Sequence, residues 1–319
     1  MENPLLSIIV ANYNSSDSLI DSITEVSHIF GSTIEFIIID DCSDELVVNR
    51  LKRYADSNEM ISLFFNSLNQ GPGYSRNRGI NEANGKYITF LDSDDSFDID
   101  SFSIIVEQLE FDYDVIVFDY YSVSNETAKH CSSFFCHIEE GLIDKGLALA
   151  FIKGSPWGKI YKKSIIESNS ISFPPKYHTE DLPFTKIAIS KCESVFYLPI
   201  PGYNYYINPL SLSQNNRLDV NNEKDSLEII ENCIGSDYKD EYQIILLIHY
   251  IYYVGINAVN ELSREEWDSC LPYSSGFKKE IHKNKYYKIL LPKHRIVSEL
   301  VLNHNYSIIK ALSLLFSLL

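Results

Sequence analysis

The sequence lacks the features that mark several common protein classes. Its six cysteines are scattered without a CxxC pair, so we expect reduced thiols and neither a zinc site nor a disulfide framework. No stretch reaches the roughly 18 consecutive apolar residues of a typical membrane span, and the N-terminal segment has no basic region like that of a signal peptide. GxGxxG and Walker A motifs are absent as well. These absences predict a cytoplasmic protein without a classical dinucleotide or P-loop site.

Positive charge is scarce over most of the chain. The 319 residues carry 27 Lys plus Arg against 44 Asp plus Glu, a formal net charge of −17, which argues against nucleic acid as a partner. The exception is the segment 278–319, which holds eight basic and two acidic side chains. This balance and the apolar run at 308–319 are typical of a segment that contacts an anionic membrane surface. The alternative is that the segment packs on the protein itself or forms a homodimer contact.

Apolar and polar runs alternate through the first 200 residues. Four short apolar runs predict strands, at residues 5–10, 34–39, 61–65 and 87–91. Helical patterns lie between them, and this alternation is typical of an α/β fold with a mostly parallel sheet. After residue 207 the pattern changes to helices. We therefore predict one domain over residues 1–207 and a helical C-terminal region over 208–319.

An acidic turn follows the fourth predicted strand. Asp92, Asp94 and Asp95 place three carboxylates within four residues, and such charges repel one another unless water or a cation relieves them. Mg²⁺ or Mn²⁺ would satisfy oxygen ligands of this kind, completed by substrate phosphates. Taken alone, the turn is also typical of a solvated loop or a helix cap. Because parallel strands end at one edge of a sheet, we expect Asn12, Asp40 and Asp92 to lie close together.

A glycine-rich segment, residues 69–79, begins the helix before that strand. It places Arg76 and Arg78 in the first turns of the helix, an arrangement that suits an anionic ligand. An ordinary capped helix with surface arginines would show the same pattern.

Six motifs follow one another in order along the chain. They are SIIVANYN at 7–14, IDDCSD at 39–44, the segment 69–79, YITFLDSDD at 87–95, PWGKIYK at 156–162 and YHTED at 177–181. In this order and spacing they resemble the inverting family 2 glycosyltransferases of the GT-A fold. The resemblance covers about 200 of the 319 residues. The chain departs from the family pattern at Cys42, where glycine is frequent.

The resemblance implies a nucleotide-sugar site at the carboxyl edge of the sheet. Asp40 or Asp41 would accept the uracil N–H, Arg76 would approach the diphosphate, and Asp92 would bind the ribose. Asp94, together with Asp92, would ligate Mg²⁺ or Mn²⁺. The complete set of residues implied for the UDP-sugar is Asn12, Tyr13, Asn14, Asp40, Asp41, Ser43, Asn69, Arg76 and Asp92.

Asp181 matches the position of the family's catalytic base, which takes a proton from the acceptor hydroxyl. Its neighbour Glu180 places a second carboxylate beside it, and two adjacent carboxylates favour a raised pKa for one of them. Trp157, Tyr177 and His178 are the residues that we expect on the acceptor side, and Glu180 is a further residue that we expect to bind substrate. The alternative interpretations are that the acidic pair begins a helix, that Trp157 is a core residue, and that His178 is structural.

The resemblance thus implies an inverting hexosyl- or N-acetylhexosaminyltransferase. It would move a sugar from a UDP-sugar to a glycan or lipid-linked acceptor during synthesis of a bacterial capsule, O-antigen or lipooligosaccharide. We expect it in the cytoplasm, peripheral on the inner face of the cytoplasmic membrane. One alternative is a nucleotidyltransferase, which should show a Gly- and Lys-rich loop where this chain reads ANYNS. The other is a catalytically inactive scaffold that binds sugar nucleotides, against which the acidic residues at 92, 94 and 181 argue.

Overall fold

The computed structural model describes residues 3–124, 127–175, 179–207, 219–271 and 275–316. The chain divides into two compact units. The first comprises Met1–Ser133, Glu139–Lys145 and Lys153–Gln214. The second comprises Phe134–Ile138, Gly146–Ile152 and Asn215–Leu319.

The described part of the first unit contains a ten-stranded sheet. Its strands are β1 (Leu6–Asn12), β2 (Ile34–Asp40), β3 (Ile61–Phe65), β4 (Tyr87–Asp92), β5 (Ser96–Phe97), β6 (Val115–Ser124), β7 (Thr127–Cys131), β8 (Gly141–Ile143), β9 (Lys159–Lys162) and β10 (Val195–Tyr206). The order across the sheet is β3-β2-β1-β4-β9-β6-β10-β5, with β7 paired to β6 and β8 paired to β10.

The sheet is parallel in its first four strands and mixed beyond them. β3, β2, β1 and β4 are parallel neighbours, as the sequence predicts. β9 runs antiparallel to both β4 and β6, and β5, β7 and β8 also form antiparallel pairs. The prediction of a mostly parallel sheet therefore holds for the first four strands and for the β6–β10 pair, which is also parallel, whereas the remaining pairs are antiparallel. Hairpin connections such as that between β6 and β7 are too short for the crossover that a parallel pair requires.

Thirteen helices are described along the chain. They are α1 (Asp17–Phe30), α2 (Glu45–Ala55), α3 (Pro72–Glu82), α4 (Ile99–Glu107), α5 (Lys145–Phe151), α6 (Lys163–Ser168), α7 (Asp181–Lys191), α8 (Val220–Ile234), α9 (Lys239–Glu261), α10 (Arg264–Cys270), α11 (Ser275–Ile281), α12 (Pro292–Leu302) and α13 (Tyr306–Phe316).

Both faces of the parallel strands are covered, which explains their nearly continuous apolar sequences. On one face Ile8 and Val10 belong to the same buried cluster as Ile23 of α1. On the other face α3 approaches so closely that a Cβ at Gly79 would lie 2.3 Å from Ile9 Cγ2. A side chain at position 79 would push α3 off the sheet, so this glycine sets the depth of the helix that carries Arg76.

The C-terminal region is helical in its described residues, as the change of pattern predicts. The second unit also includes Phe134–Ile138 and Gly146–Ile152, which the sequence assigned to the first domain, because these segments pack within this unit in the folded chain. α9, which contains a π-helical stretch at Leu246–Tyr252, is the one helix among the described residues that is long and apolar enough to cross a membrane. However, 67% of its most apolar window is buried inside the protein, as in the core helix of a globular domain. α13 packs on it through buried Ile309, and Ser313 Oγ donates to Asn260 Oδ1 at 2.9 Å. The inner face of the basic C-terminal segment is therefore covered by its own unit.

Candidate active site

The carboxyl ends of β1 and β2 are tied together by side-chain hydrogen bonds. Asn12 Nδ2 donates to Asp40 Oδ2 at 2.9 Å, and the amide and hydroxyl of Ser43 donate to the same carboxylate at 3.0 and 2.6 Å. Asn14 N–H donates to Ser43 Oγ at 2.8 Å, while Tyr13 is exposed. Asn12 Oδ1 is buried without a hydrogen-bond partner among the described residues. These five predicted residues therefore lie together, and the amide oxygen of Asn12 is an acceptor still open to a donor.

Asp41 anchors the loop between β3 and α3. Its carboxylate accepts hydrogen bonds from Asn66 Nδ2 at 2.8 Å and from the backbone N–H groups of Gln70 and Gly71, the latter at 2.7 Å. The loop that it holds carries Asn69, whose side chain is exposed. A carboxylate has about four lone-pair sites. Any hydrogen bond from a nucleotide to Asp41 would therefore use a lone pair that these bonds leave unoccupied.

Cys42 adopts a left-handed backbone conformation with φ of 68°. A glycine enters this region without strain, whereas other residues do so at some cost in free energy. The strand-end turn is therefore the same kind of turn that glycine would favour, in spite of the cysteine.

Arg76 joins the ends of two elements that carry the predicted chemistry. It lies on the buried face of α3, and its side chain is only 5% exposed. Nη2 donates to Asp92 Oδ1 at 2.7 Å, and Nη1 donates to Asp181 Oδ1 at 2.7 Å. The guanidinium carbon lies 5.4 Å from the ring centre of Phe173. One arginine thus fixes the end of β4 and the start of α7 in a single ion-pair network.

Asp181 has the environment of a group that titrates near neutral pH. Burial raises its pKa to about 7, with Arg76 lowering it and the charges of Glu180 and Asp92 adding to the increase. Its side chain is still 36% exposed, so the carboxylate is accessible from solvent. Position 181 begins α7, where a negative charge is favoured in any case. A residue that only begins a helix does not need an ion pair with another helix, whereas Asp181 is paired with Arg76 of α3.

Glu180 lies deeper than its neighbour. It is 6% exposed, it packs against Gly73, and a Cβ at that glycine would lie 3.0 Å from Glu180 Cγ. Burial raises its pKa, and Oε2 has no hydrogen-bond partner among the described residues. A buried carboxylate with an unsatisfied oxygen is costly, which is expected where a substrate group completes the site. Tyr177 and His178, predicted beside this pair, lie outside the described residues.

The carboxylates of the acidic turn differ in how deeply they are buried. Asp94 is exposed, and partial desolvation together with the charge of Asp92 raises its pKa. Asp95 faces inward, where burial raises its pKa to about 8. It accepts hydrogen bonds from the hydroxyl of Tyr203 at 2.8 Å and from the backbone N–H of Tyr206 at 2.9 Å. Asp95 is therefore occupied by β10, and Asp94 is the carboxylate presented outward.

The outward carboxylates are suitable ligands for a hard divalent cation whose coordination a substrate would complete. No group of three or more His, Cys, Asp or Glu among the described residues is arranged to hold a metal ion by itself. Mg²⁺ is frequently bound by one or two carboxylates plus substrate phosphates. Partial desolvation and the negative charge of Asp92 raise the pKa of Asp94, and a cation would neutralise that repulsion between the two carboxylates. Asp94 and the free oxygen of Asp92 are the residues that would hold it.

Trp157 is half-buried and stacked between tyrosines. Its ring lies 4.7 Å from that of Tyr203 with an interplanar angle of 5°, and 5.5 Å from that of Tyr205. The ring packs against the buried core, as one of the two sequence interpretations expects, and its place on the acceptor side stays a prediction.

Sequence reasoning missed Lys159 and Tyr203. Lys159 is fully buried at the start of β9, and its Nζ donates to the backbone carbonyls of Ser155 at 2.7 Å and Trp157 at 3.3 Å. Its pKa is lowered to about 7, mainly by burial and also by the charge of Lys153, while Asp181 acts in the opposite direction. Its sequence signal was its place in the PWGKIYK motif, as a lysine at the head of a short apolar run. That signal does not distinguish a surface charge from a buried one.

We expect Arg76→Met to lower the free energy of unfolding by about 2 kcal/mol at neutral pH. Removing one partner of a fully buried ion pair costs about 3–5 kcal/mol, and the figure is reduced here because Asp92 and Asp181 are 29% and 36% exposed. The deficit should narrow toward pH 5, since protonation of Asp181 removes a charge that the arginine neutralises. Urea denaturation at several pH values measures this.

The matched control is Arg78→Met, two residues along the same helix. Arg78, the second arginine of the glycine-rich segment, donates to the carbonyl of Phe65 at 2.7 Å and to Asn66 Oδ1 at 2.8 Å, with no carboxylate in those bonds. Replacement of Arg78 should lower the free energy of unfolding by less, and by an amount that does not change with pH. Equal and pH-independent losses in both variants would contradict the role assigned to the Arg76 ion pairs.

Comparison with known proteins agrees with this geometry. Residues 7–153 match the family model described as Glycosyl transferase family 2. A Bacillus subtilis protein described as a glycosyltransferase, EpsH, is 27% identical over 263 residues, which is 78% of this chain and 76% of that protein. Another Bacillus subtilis protein, described as the teichuronic acid biosynthesis glycosyltransferase TuaG, is 35% identical over 108 residues, or 34% of this chain and 42% of that protein.

A solved structure shares the fold. Residues 1–349 of TarS from S. aureus, in a crystal structure with UDP-GlcNAc, superpose with a TM-score of 0.72 at 20% sequence identity, covering 95% of this chain and 88% of that chain. The predicted GT-A fold is confirmed by this likeness. The family-model match over residues 7–153 and the similar glycosyltransferases support a family 2 glycosyltransferase, and the likeness to TarS shows the fold.

Proposed function

We propose that this protein transfers a hexose or N-acetylhexosamine, with inversion, from a UDP-sugar to a hydroxyl of a glycan or lipid-linked acceptor. The setting that we propose is the assembly of a bacterial surface polysaccharide. The complex of TarS with UDP-GlcNAc supports the donor class, and the naming of TuaG for teichuronic acid biosynthesis supports the setting.

The observation that carries the proposal is the double ion pair of Arg76. It holds Asp181 one guanidinium away from Asp92 of the acidic turn. A base for the acceptor is thereby fixed beside the residues proposed for the donor, which an inverting displacement requires because the hydroxyl must attack while the diphosphate leaves. A scaffold that only bound sugar nucleotides would not need a base with a pKa near 7.

In this proposal the new bond forms between the acceptor oxygen and the anomeric carbon as the bond to the diphosphate oxygen breaks. Asp181 takes the proton of the acceptor hydroxyl, and Arg76 holds one oxygen of that carboxylate so that the other faces the acceptor. Glu180 is placed to accept a hydrogen bond from a sugar hydroxyl. Mg²⁺ or Mn²⁺, held by Asp94 and Asp92, supplies charge neutralisation for the departing diphosphate when it is bound.

The donor class is tested by thermal shift with Mn²⁺ and four donors, UDP-glucose, UDP-galactose, UDP-GlcNAc and UDP-GalNAc. A donor at 100 times its dissociation constant should stabilise the protein by about 2.7 kcal/mol. The anomeric configuration of the product, read by NMR, then tests inversion. Stabilisation by none of the four would reject the donor class, and retained configuration would reject inversion.

We also propose that the second unit attaches the enzyme to an anionic membrane surface. Lys288, Ile289, Lys293 and Ile296 are exposed, so cationic and apolar side chains are both available on this part of the unit. A lysine near an anionic leaflet contributes about 1 kcal/mol. Deleting the segment 278–319 would be a poor test, because buried residues such as Ile309 would be lost with it.

We expect the double variant Lys288→Glu/Lys293→Glu to bind phosphatidylglycerol vesicles at least about 30-fold more weakly, from about 1 kcal/mol for each lysine. Sedimentation with vesicles at low salt measures the partition. The control is Lys52→Glu/Arg53→Glu, which makes the same charge change on exposed residues of α2. An unmodified protein that ignores the vesicles, or equal losses in both variants, would count against attachment through the second unit.

A further inference from the structure

Tyr203 lies at a junction between the acidic turn and the strand β10. Its side chain is fully buried. The hydroxyl donates to Asp95 Oδ2 at 2.8 Å and accepts from the backbone N–H of Asp92 at 3.1 Å. A phenol hydroxyl has one proton to donate, and Tyr203 donates it to Asp95 of the acidic turn. Tyr203 therefore contacts both ends of the Asp92–Asp95 segment with a single oxygen.

The ring of the same residue supports the acceptor side. It is stacked on Trp157 with centroids 4.7 Å apart, and its other neighbour is Phe97, in edge contact at 5.7 Å. A fixed aromatic plane leaves Trp157 little freedom to tilt. The position of Trp157 is thus set relative to the acidic turn by one side chain.

The loop that carries Trp157 is in turn fixed to α7. Thr185 Oγ1, one turn after Asp181 in that helix, donates to the carbonyl of Gly154 at 2.9 Å. The buried ammonium of Lys159 donates to the carbonyl of Ser155 at 2.7 Å. The acidic turn and the helix with the proposed base are therefore connected through Tyr203 and this loop, in addition to the direct link through the arginine.

We propose that Tyr203 is a positioning residue for the transfer reaction, which fixes the Asp92–Asp95 turn in the conformation that binds the donor diphosphate. The inference rests on the proposed function. It assigns to the hydroxyl a part in donor binding that is separable from its part in stability. A merely structural tyrosine would contribute to stability alone.

The chain provides a matched control on the same strand that the turn follows. Tyr87 is also fully buried, and its hydroxyl donates to Asp112 Oδ1 at 3.0 Å. It begins β4, at the end of the strand opposite to Asp92. Tyr87→Phe and Tyr203→Phe each keep the ring and remove one hydroxyl that is bonded to an aspartate.

The experiment measures the affinity for UDP with Mn²⁺ by titration calorimetry, together with the melting temperature, for the full chain and both variants. We expect both variants to melt about 2–4 °C lower. Tyr203→Phe should bind UDP about tenfold more weakly, which corresponds to about 1.4 kcal/mol, and Tyr87→Phe should bind it as the unmodified protein does.

The outcomes separate the inference from the function on which it rests. Undiminished UDP affinity in Tyr203→Phe, or an equal loss in Tyr87→Phe, would overturn the positioning role while leaving the donor proposal intact. An unmodified chain that binds no UDP would overturn both. Because Tyr203→Phe removes only the hydroxyl from the side chain, a loss of UDP affinity in this variant is assigned to that hydroxyl.

Discussion

Replacement of Asp181 by Asn should lower turnover by about two to four orders of magnitude, because an amide cannot take the proton of the acceptor hydroxyl. Affinity for UDP should change little, since Arg76 keeps its bond to Asp92 and the amide oxygen of the new residue can still accept from Nη1. Release of UDP from the donor identified by thermal shift measures turnover, and calorimetry measures the affinity. Asp114→Asn is the control, since Asp114, which precedes β6, accepts from the backbone N–H groups of Glu193 and Ser194, away from the acidic turn.

The pH profile gives this prediction a second readout. A base acts in its deprotonated form, so activity of the unmodified enzyme should rise with pH through about 7, the value to which burial raises the pKa of Asp181. The residual activity of Asp181→Asn should lack that rise. A variant that loses donor affinity and fold together would support the alternative in which the residue only begins α7.

Asp94→Ala should lower transfer by about 10²–10³-fold, the loss that follows removal of one contact to developing charge. Asp94 is the outward carboxylate of the acidic turn, and the surroundings that raise its pKa would favour a bound cation. In Mn²⁺ the variant should therefore bind UDP as weakly as the unmodified protein does in EDTA. In EDTA the two proteins should bind UDP equally.

The control for this variant is Asp100→Ala, an exposed aspartate in the first turn of α4. It removes the same charge six positions along the chain. Asp94→Ala with normal turnover, or with a metal-dependent gain in UDP affinity equal to that of the unmodified protein, would contradict the assignment of Asp94 as a metal ligand.

The parallel half of the sheet was predictable because its strands are short and apolar, and β1, β2 and β4 are buried on both faces. The predicted runs at 5–10, 34–39, 61–65 and 87–91 match β1 to β4 within one or two residues. Their ends converge as expected, with Asn12 bonded to Asp40 and Ala11 paired with Asp92. Local pattern and sheet geometry agree here, so sequence alone was sufficient.

The mixed half was not predictable in the same way. β10 contains Pro199, Pro201 and Gly202, residues that argue against a strand between two neighbours. The structure accommodates the prolines at register shifts against β6, between Leu198 and Tyr203. Such irregularities depend on the partner strand, and they leave no periodic signal in the sequence.

The candidate site shows the same division. The strand pattern predicted that Asn12, Asp40 and Asp92 would lie at one edge of the sheet, but the partners of the acidic residues depend on packing between elements distant in sequence. Arg76 binds Asp181 across 105 positions, and Tyr203 binds Asp95 across 108. Lys159 and Tyr203 were missed for that reason, since neither a lysine nor a tyrosine indicates its partner until the chain is folded.

The most direct test of the central claim is the release of UDP from the four UDP-sugars by the unmodified protein and by Asp181→Asn, with Mn²⁺ and without an added acceptor. Water then replaces the acceptor hydroxyl, and the same base is required. The proposed function predicts slow UDP release from at least one donor by the unmodified protein and a loss of about two orders of magnitude or more in the variant. Equal rates in the two proteins, or no release from any donor in spite of donor binding, would contradict it.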